Sequence, residues 1–201
     1  WPTLWLKISL FFAGAAWLIL NGVDNQAPDY PLVRPKYALL ILIAPLALAE
    51  VTVQALFFTA LNPDLITSCC GSLFSPEGGG VAAEVAGLNP AISLAALALS
   101  GLALLATGLR YWRRGRGGGL FALLAALTFG IALAAIVSGV ALYVYEHPHH
   151  HCPFCLLKSG HDFVGYGLYV PLFAATALAL GAGLIEVWRS IPSLTAIITH
   201  Q

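Results

Sequence analysis

The chain is 201 residues long, 59% hydrophobic and only 9% charged, with a mean hydropathy of +0.85. A soluble domain carries about a quarter charged residues, so this composition excludes one and marks an integral membrane protein. Nine basic and nine acidic residues cancel, which leaves neither the basic face that nucleic acid requires nor an Arg-rich amphipathic helix for surface attachment.

Five apolar runs are long enough to cross hydrocarbon, which takes roughly 17–25 helical residues. They are residues 4–20, 37–61, 91–109, 120–145 and 163–188. The first has no small-residue cleavage site after it and reads as a span, not a signal peptide. No alternating pattern points to a barrel, and in lipid helices are then the remaining way to satisfy the backbone. The expected fold is all-α: a polytopic membrane protein, one domain over 1–201, with five transmembrane helices in a bundle and two cysteine-bearing loops.

Orientation follows from the distribution of basic residues. The loop Arg110–Arg116 holds four arginines and no acid, so it is expected in the cytoplasm; Arg34, Lys36 and Arg189 agree. The interval 62–90 carries Asp64, Glu77 and Glu84 without Lys or Arg and is expected outside. Five crossings then place the N-terminus outside, the C-terminus inside and both cysteine loops extracytoplasmic, with a bacterial inner membrane as the expected location. The 62–90 interval reads as a loop folding back over the bundle, with a short surface helix near Val81–Ala86.

Glu50 is the one acid well inside a run, with Gln54 one turn later. A charge in lipid is costly, so both are expected to face the bundle. They read either as a proton carrier or hydrogen-bond partner for a quinone headgroup, or as a polar clasp between helices. Lys7 and Glu186 lie near span ends and are expected to snorkel. Tyr143, Tyr145, Phe154, Phe163, Tyr166 and Tyr169 suit an interfacial belt or the wall of a quinone pocket.

The chemistry-bearing stretch is Glu146-His147-Pro148-His149-His150-His151-Cys152-Pro153-Phe154-Cys155. Two cysteines at i and i+3 fit a redox pair, and the same spacing binds zinc. With Pro153 at a first helical position, Cys152 is expected at a helix N-terminus as the exposed attacking thiol, and Cys155 as the more buried one. Leu156 follows Cys155, which excludes the c-type haem signature, and no histidine lies deep in a run to hold a b-type haem. His147, His149, His150, His151, Cys152, Cys155 and His161 form a candidate set for Zn or Cu. Cys69-Cys70 either exchange with the distant pair, supply thiolates to a soft metal, or form a structural disulfide.

The order of these features resembles the membrane thiol oxidoreductases of the DsbB and vitamin K epoxide reductase group. There a four-helix bundle carries a cysteine pair in the loop after its first helix and a C-x-x-C pair opening its last, beside a quinone. The resemblance implies that Cys152 and Cys155 pass electrons to quinone and that Cys69 or Cys70 exchanges with an external thiol protein. The alternatives are a His/Cys-based protein that binds or transports Cu, Zn or Hg, and a non-catalytic subunit of a larger membrane complex whose cysteines are staples.

Overall fold

A computed structural model describes residues 2–61, 74, 80–147 and 149–199; among these there is no strand. The helices are α1 (Pro2–Asp24), α2 (Val33–Thr59), α3 (Val81–Ala86), α4 (Pro90–Arg114), α5 (Gly118–Ala135), α6 (Ala141–Tyr145), α7 (Val164–Val187) and α8 (Pro192–Thr199). A π-turn, Ile136–Val140, joins α5 to α6 without a break, so Gly118–Tyr145 forms one rod of 28 residues. Five helices are therefore long and apolar enough to span a membrane, and they coincide with the five expected runs. The short helix expected near Val81–Ala86 is α3. The C-terminal α8 was not expected, although Pro192 at its start is an ordinary helix opener.

Local chemistry sets the element ends. The Asn89 side chain accepts hydrogen bonds from the backbone N–H groups of Ala91 (2.9 Å) and Ile92 (3.3 Å), and Pro90 occupies the first helical position. At the other end of α4, Gly115 closes the helix at φ +58°, a conformation glycine tolerates best. The turn into α5 is held by Glu186 of α7, whose carboxylate accepts from Gly117 N (2.8 Å) and Gly119 N (3.0 Å). Glu186 thus caps a neighbouring helix instead of snorkelling, because the first N–H groups of α5 have no partner within their own helix.

The helices pack in the order α4, α5, α7, α1, α2, with α1 as the main neighbour of α2. With little hydrophobic drive between helices in lipid, close approach rests on small residues and interhelical hydrogen bonds. A Cβ on Gly183 of α7 would come within 2.5 Å of Ala122 Cβ and 2.9 Å of Gly118 O on α5, and one on Gly181 would meet Ile19 of α1. Phe12, Phe129 and Phe173 interlock α1, α5 and α7, with centroid separations of 5.1, 5.7 and 5.0 Å. The Ser138 hydroxyl donates to Ser93 Oγ (2.7 Å), tying the π-turn to α4.

Two ion pairs join α1 to α2. Asp24, fully buried, accepts from Leu32 N–H (2.6 Å) and lies 2.6 Å from Lys36 Nζ, which also donates to Asn21. Leu194 of α8 closes this end against Leu20, Val23, Ala27 and Leu32. Further along, Lys7 Nζ lies 2.6 Å from Glu50 Oε1 and donates to Gln54 Oε1 (2.7 Å). A buried carboxylate one helix over thus engages the Lys7 ammonium, while half of the Lys7 side chain stays exposed.

Candidate functional site

The segment 146–163 fills the end of the bundle opposite Arg113–Gly117, from which the 28-residue α5–α6 rod separates it by about 42 Å. Glu146 leaves α6 in the left-handed conformation (φ 54°), which turns the chain back over the helix ends. Two 3-10 turns, Cys155–Leu157 and Ser159–His161, follow, and α7 starts only at Val164. Cys152 is therefore not at the N-terminus of a spanning helix. It opens a turn, closed by Cys155 N–H donating to Cys152 O (3.3 Å).

Both cysteines are buried: Cys152 is 1% exposed and Cys155 4%. This corrects the expectation of an exposed Cys152 beside a shielded Cys155. The cover is Phe74 together with Ala82 and Ala86 of α3, and Val137, Val85 and Tyr145 complete the cluster. Phe74 also meets the Phe154 ring edge-on at 6.0 Å. Cys152 carries a free thiol. Cys69 and Cys70 lie outside the described residues.

Two tyrosines hold the peptide that carries Cys152. Tyr145 of α6 donates to Cys152 O (2.6 Å), and Tyr169 of α7 donates to Pro153 O (3.0 Å). Successive carbonyls are thus gripped from two different helices. Nothing in the sequence distinguishes these tyrosines from an interfacial belt.

The histidines separate into three places. His151 is buried, and its Nδ1 lies 3.0 Å from Val137 O in the π-turn. A carbonyl only accepts, so Nδ1 carries the proton and, in the neutral ring, Nε2 keeps the lone pair. His150 and His161 flank the Tyr145 ring at 4.2 and 4.4 Å. His147 and His149 are exposed, with His149 N–H donating to His147 Nδ1 (3.3 Å). Burial, reinforced by His161, His147, His151 and Lys158 nearby, holds the His150 imidazole below its usual pKa. Among the described residues, no group of three His, Cys, Asp or Glu side chains converges as a metal site. Residues this close in sequence splay onto different supports, so the dense run does not surround one point.

The residues assigned to a quinone are likewise not assembled around the cysteines. Glu50 and Gln54 meet Lys7 at the α1–α2 seam, whereas Tyr166 is exposed on the first turn of α7, its ring 6.1 Å from Phe163. Among the described residues these do not form a single pocket at the C-P-F-C turn.

Comparison with family models, with curated proteins and with solved structures finds no match. The reading of function therefore rests on the site alone.

Proposed function

We propose that the protein is a membrane thiol–disulfide oxidoreductase whose reactive unit is the Cys152-Pro153-Phe154-Cys155 turn, working on the extracytoplasmic side. The observation that carries this reading is the packing of Phe74 and α3 over that turn. Phe74 lies four residues after Cys70, and an extended chain of that length reaches at most roughly 14 Å. The covalent chain alone therefore limits how far Cys70 can lie from the residue that covers the Cys152–Cys155 turn, and exchange between the two pairs requires that limit.

The turn is suited to the chemistry. A β-turn holds its first and fourth Cα atoms within about 7 Å, which matches the roughly 4.4–6.8 Å that a disulfide spans. Cys152 and Cys155 can therefore pass between dithiol and disulfide with little backbone change, and the Tyr145 and Tyr169 hydroxyls keep the peptide in place while the sulfurs alter their bonding. Oxidation forms one S–S bond and breaks two S–H bonds, releasing two electrons and two protons. A membrane quinone is the class of acceptor that takes both. In the reducing half-cycle an external thiolate attacks the disulfide through a mixed disulfide. With Cys152 buried, a protein partner reaches it only when the Phe74 and α3 cover moves aside, or through Cys69-Cys70 acting as the shuttle.

The test is turnover of a dithiol substrate by the reconstituted chain with quinone present. Cys152→Ser is expected to abolish it, and undiminished turnover in that variant overturns the reading. Soft-metal binding is the second reading. It is favoured by the His151 Nδ1–carbonyl bond, since metal-ligating histidines are commonly oriented in this way. Stoichiometric Cu or Zn that survives dialysis in wild type, and is lost in His151→Ala, would support it.

A further inference from the structure

The last turns of α4 present a feature that the cysteine chemistry leaves unused. Arg110, Arg113 and Arg114 line a groove of about 270 Å³ with Ala106 and Leu109 as its apolar floor. The spacing i, i+3, i+4 puts all three guanidinium groups on one helix face. All three are exposed, and Arg116 follows at once. Among the described residues, no carboxylate lies within ion-pair distance of them. Across the turn, the Glu186 carboxylate is engaged by Gly117 and Gly119.

Like charges at these spacings repel. Cations in the last helical turn are favoured by the helix dipole, which accounts for Arg113 and Arg114, but that effect fades within one turn. Arg110 lies a full turn further toward the apolar part of the helix. Below the groove, Leu105, Leu102 and Leu99 continue the same surface as exposed apolar side chains, while Trp112 stands exposed at the rim. Trp at this depth marks the headgroup level. The surface thus offers cationic forks above a strip of leucine, complementary to a phosphate above an acyl chain.

We propose that this face of α4 is a binding site for an anionic phospholipid, its phosphate held by Arg110, Arg113 and Arg114 and one acyl chain lying along Leu105, Leu102 and Leu99. Guanidinium groups suit the role because they pair with phosphate oxygens two at a time. The proposal stands independently of the thiol chemistry at the opposite end.

Native mass spectrometry of the full chain with added phosphatidylglycerol or phosphatidylcholine tests it. Wild type is expected to retain phosphatidylglycerol in preference to phosphatidylcholine. The triple variant R110Q/R113Q/R114Q should lose affinity by on the order of a hundredfold, about fivefold per charge. The triple Arg→Lys variant should fall between the two, and Arg34→Gln, which removes an exposed arginine elsewhere, should behave as wild type. Equal retention of both lipids, or equal retention by wild type and the triple Gln variant, overturns the proposal. So does displacement of the lipid by inorganic phosphate at matching concentration, which would mean that free phosphate is the ligand. Helical content measured on every sample separates a lost site from a lost fold: an unfolded Gln variant passes the decision to the Lys variant, where affinity equal to wild type overturns the bidentate assignment.

Discussion

His151 donates its Nδ1 proton to the backbone carbonyl of Val137 across 3.0 Å. This one bond ties the histidine-rich loop to the π-turn of the spanning helix. Such widened turns occur often at functional sites, and this one lies beneath the two cysteines, with Val137 in the same cluster.

Removing that anchor leaves a buried carbonyl short of a donor. His151→Ala should lower stability by about 1–3 kcal/mol, read as a fall in the thermal unfolding midpoint in detergent. It should also speed alkylation of Cys152. An unchanged midpoint together with an unchanged alkylation rate would show that the bond does not hold the loop.

Phe74 is the lid residue over the thiols. Phe74→Ala should cost about 3 kcal/mol and raise the maleimide reaction rate of Cys152 well above wild type, since a 1% exposed thiol reacts only through opening. Equal rates in the two proteins would show that access runs by another path.

The α5–α7 seam is intolerant of volume. Gly183→Val meets Ala122 Cβ and the Gly118 backbone, neither of which swings away, and overpacking of this kind costs about 1–3 kcal/mol. Gly14→Ala meets nothing within 4 Å and, as a helix-interior Gly→Ala change, should keep or raise the midpoint. A Gly183→Val protein as stable as Gly14→Ala would contradict the described packing.

The Lys7–Glu50 pair should behave as a unit. Glu50 is buried while the Lys7 side chain is 51% exposed. Lys7→Met leaves a buried carboxylate short of its partner and should cost about 1–3 kcal/mol; Glu50→Leu, which leaves Lys7 its bond to Gln54, should cost less. The double variant should recover most of the loss. Simple additivity in that cycle would mean that the two charges do not interact.

Stability should also depend on pH through His150. Burial and its cationic neighbours favour the neutral imidazole in the folded chain, so its folded pKa lies below the ordinary 6.5. In that interval the unfolded chain binds the extra proton, so stability rises with pH. The contribution is complete above about pH 6.5 and is lost as pH falls from there through the folded value. His150→Gln should flatten this part of the profile of unfolding midpoint against pH; an unaltered slope would assign it to another group.

Much of the membrane architecture was legible from residues 4–20, 37–61, 91–109, 120–145 and 163–188, because lipid demands long apolar helices and permits little else. Even α3 could be placed, as a short helix near Val81–Ala86 within the 62–90 interval. The position of Cys152 could not. Pro153 suited a helix start, but the left-handed residues Glu146, Asp162 and Phe163 insert two short turns before α7, and nothing in their side chains announces it. The grouping of the histidines was likewise hidden, since adjacent residues gave no sign that one would reach a carbonyl, two would flank a tyrosine and two would stay in solvent.

Five helices long and apolar enough to cross a membrane, and one polar interval rich in thiols and imidazoles, could be read from the order of residues. Both follow from composition and local order, which hydropathy reads directly. The burial of Cys152 under Phe74 and α3, the pairing of Lys7 with Glu50 and the capping of α5 by Glu186 became visible only once the chain was folded. Each of those joins residues far apart along the chain, and only packing, through the match of small residues and the need to satisfy buried polar groups, brings them within reach.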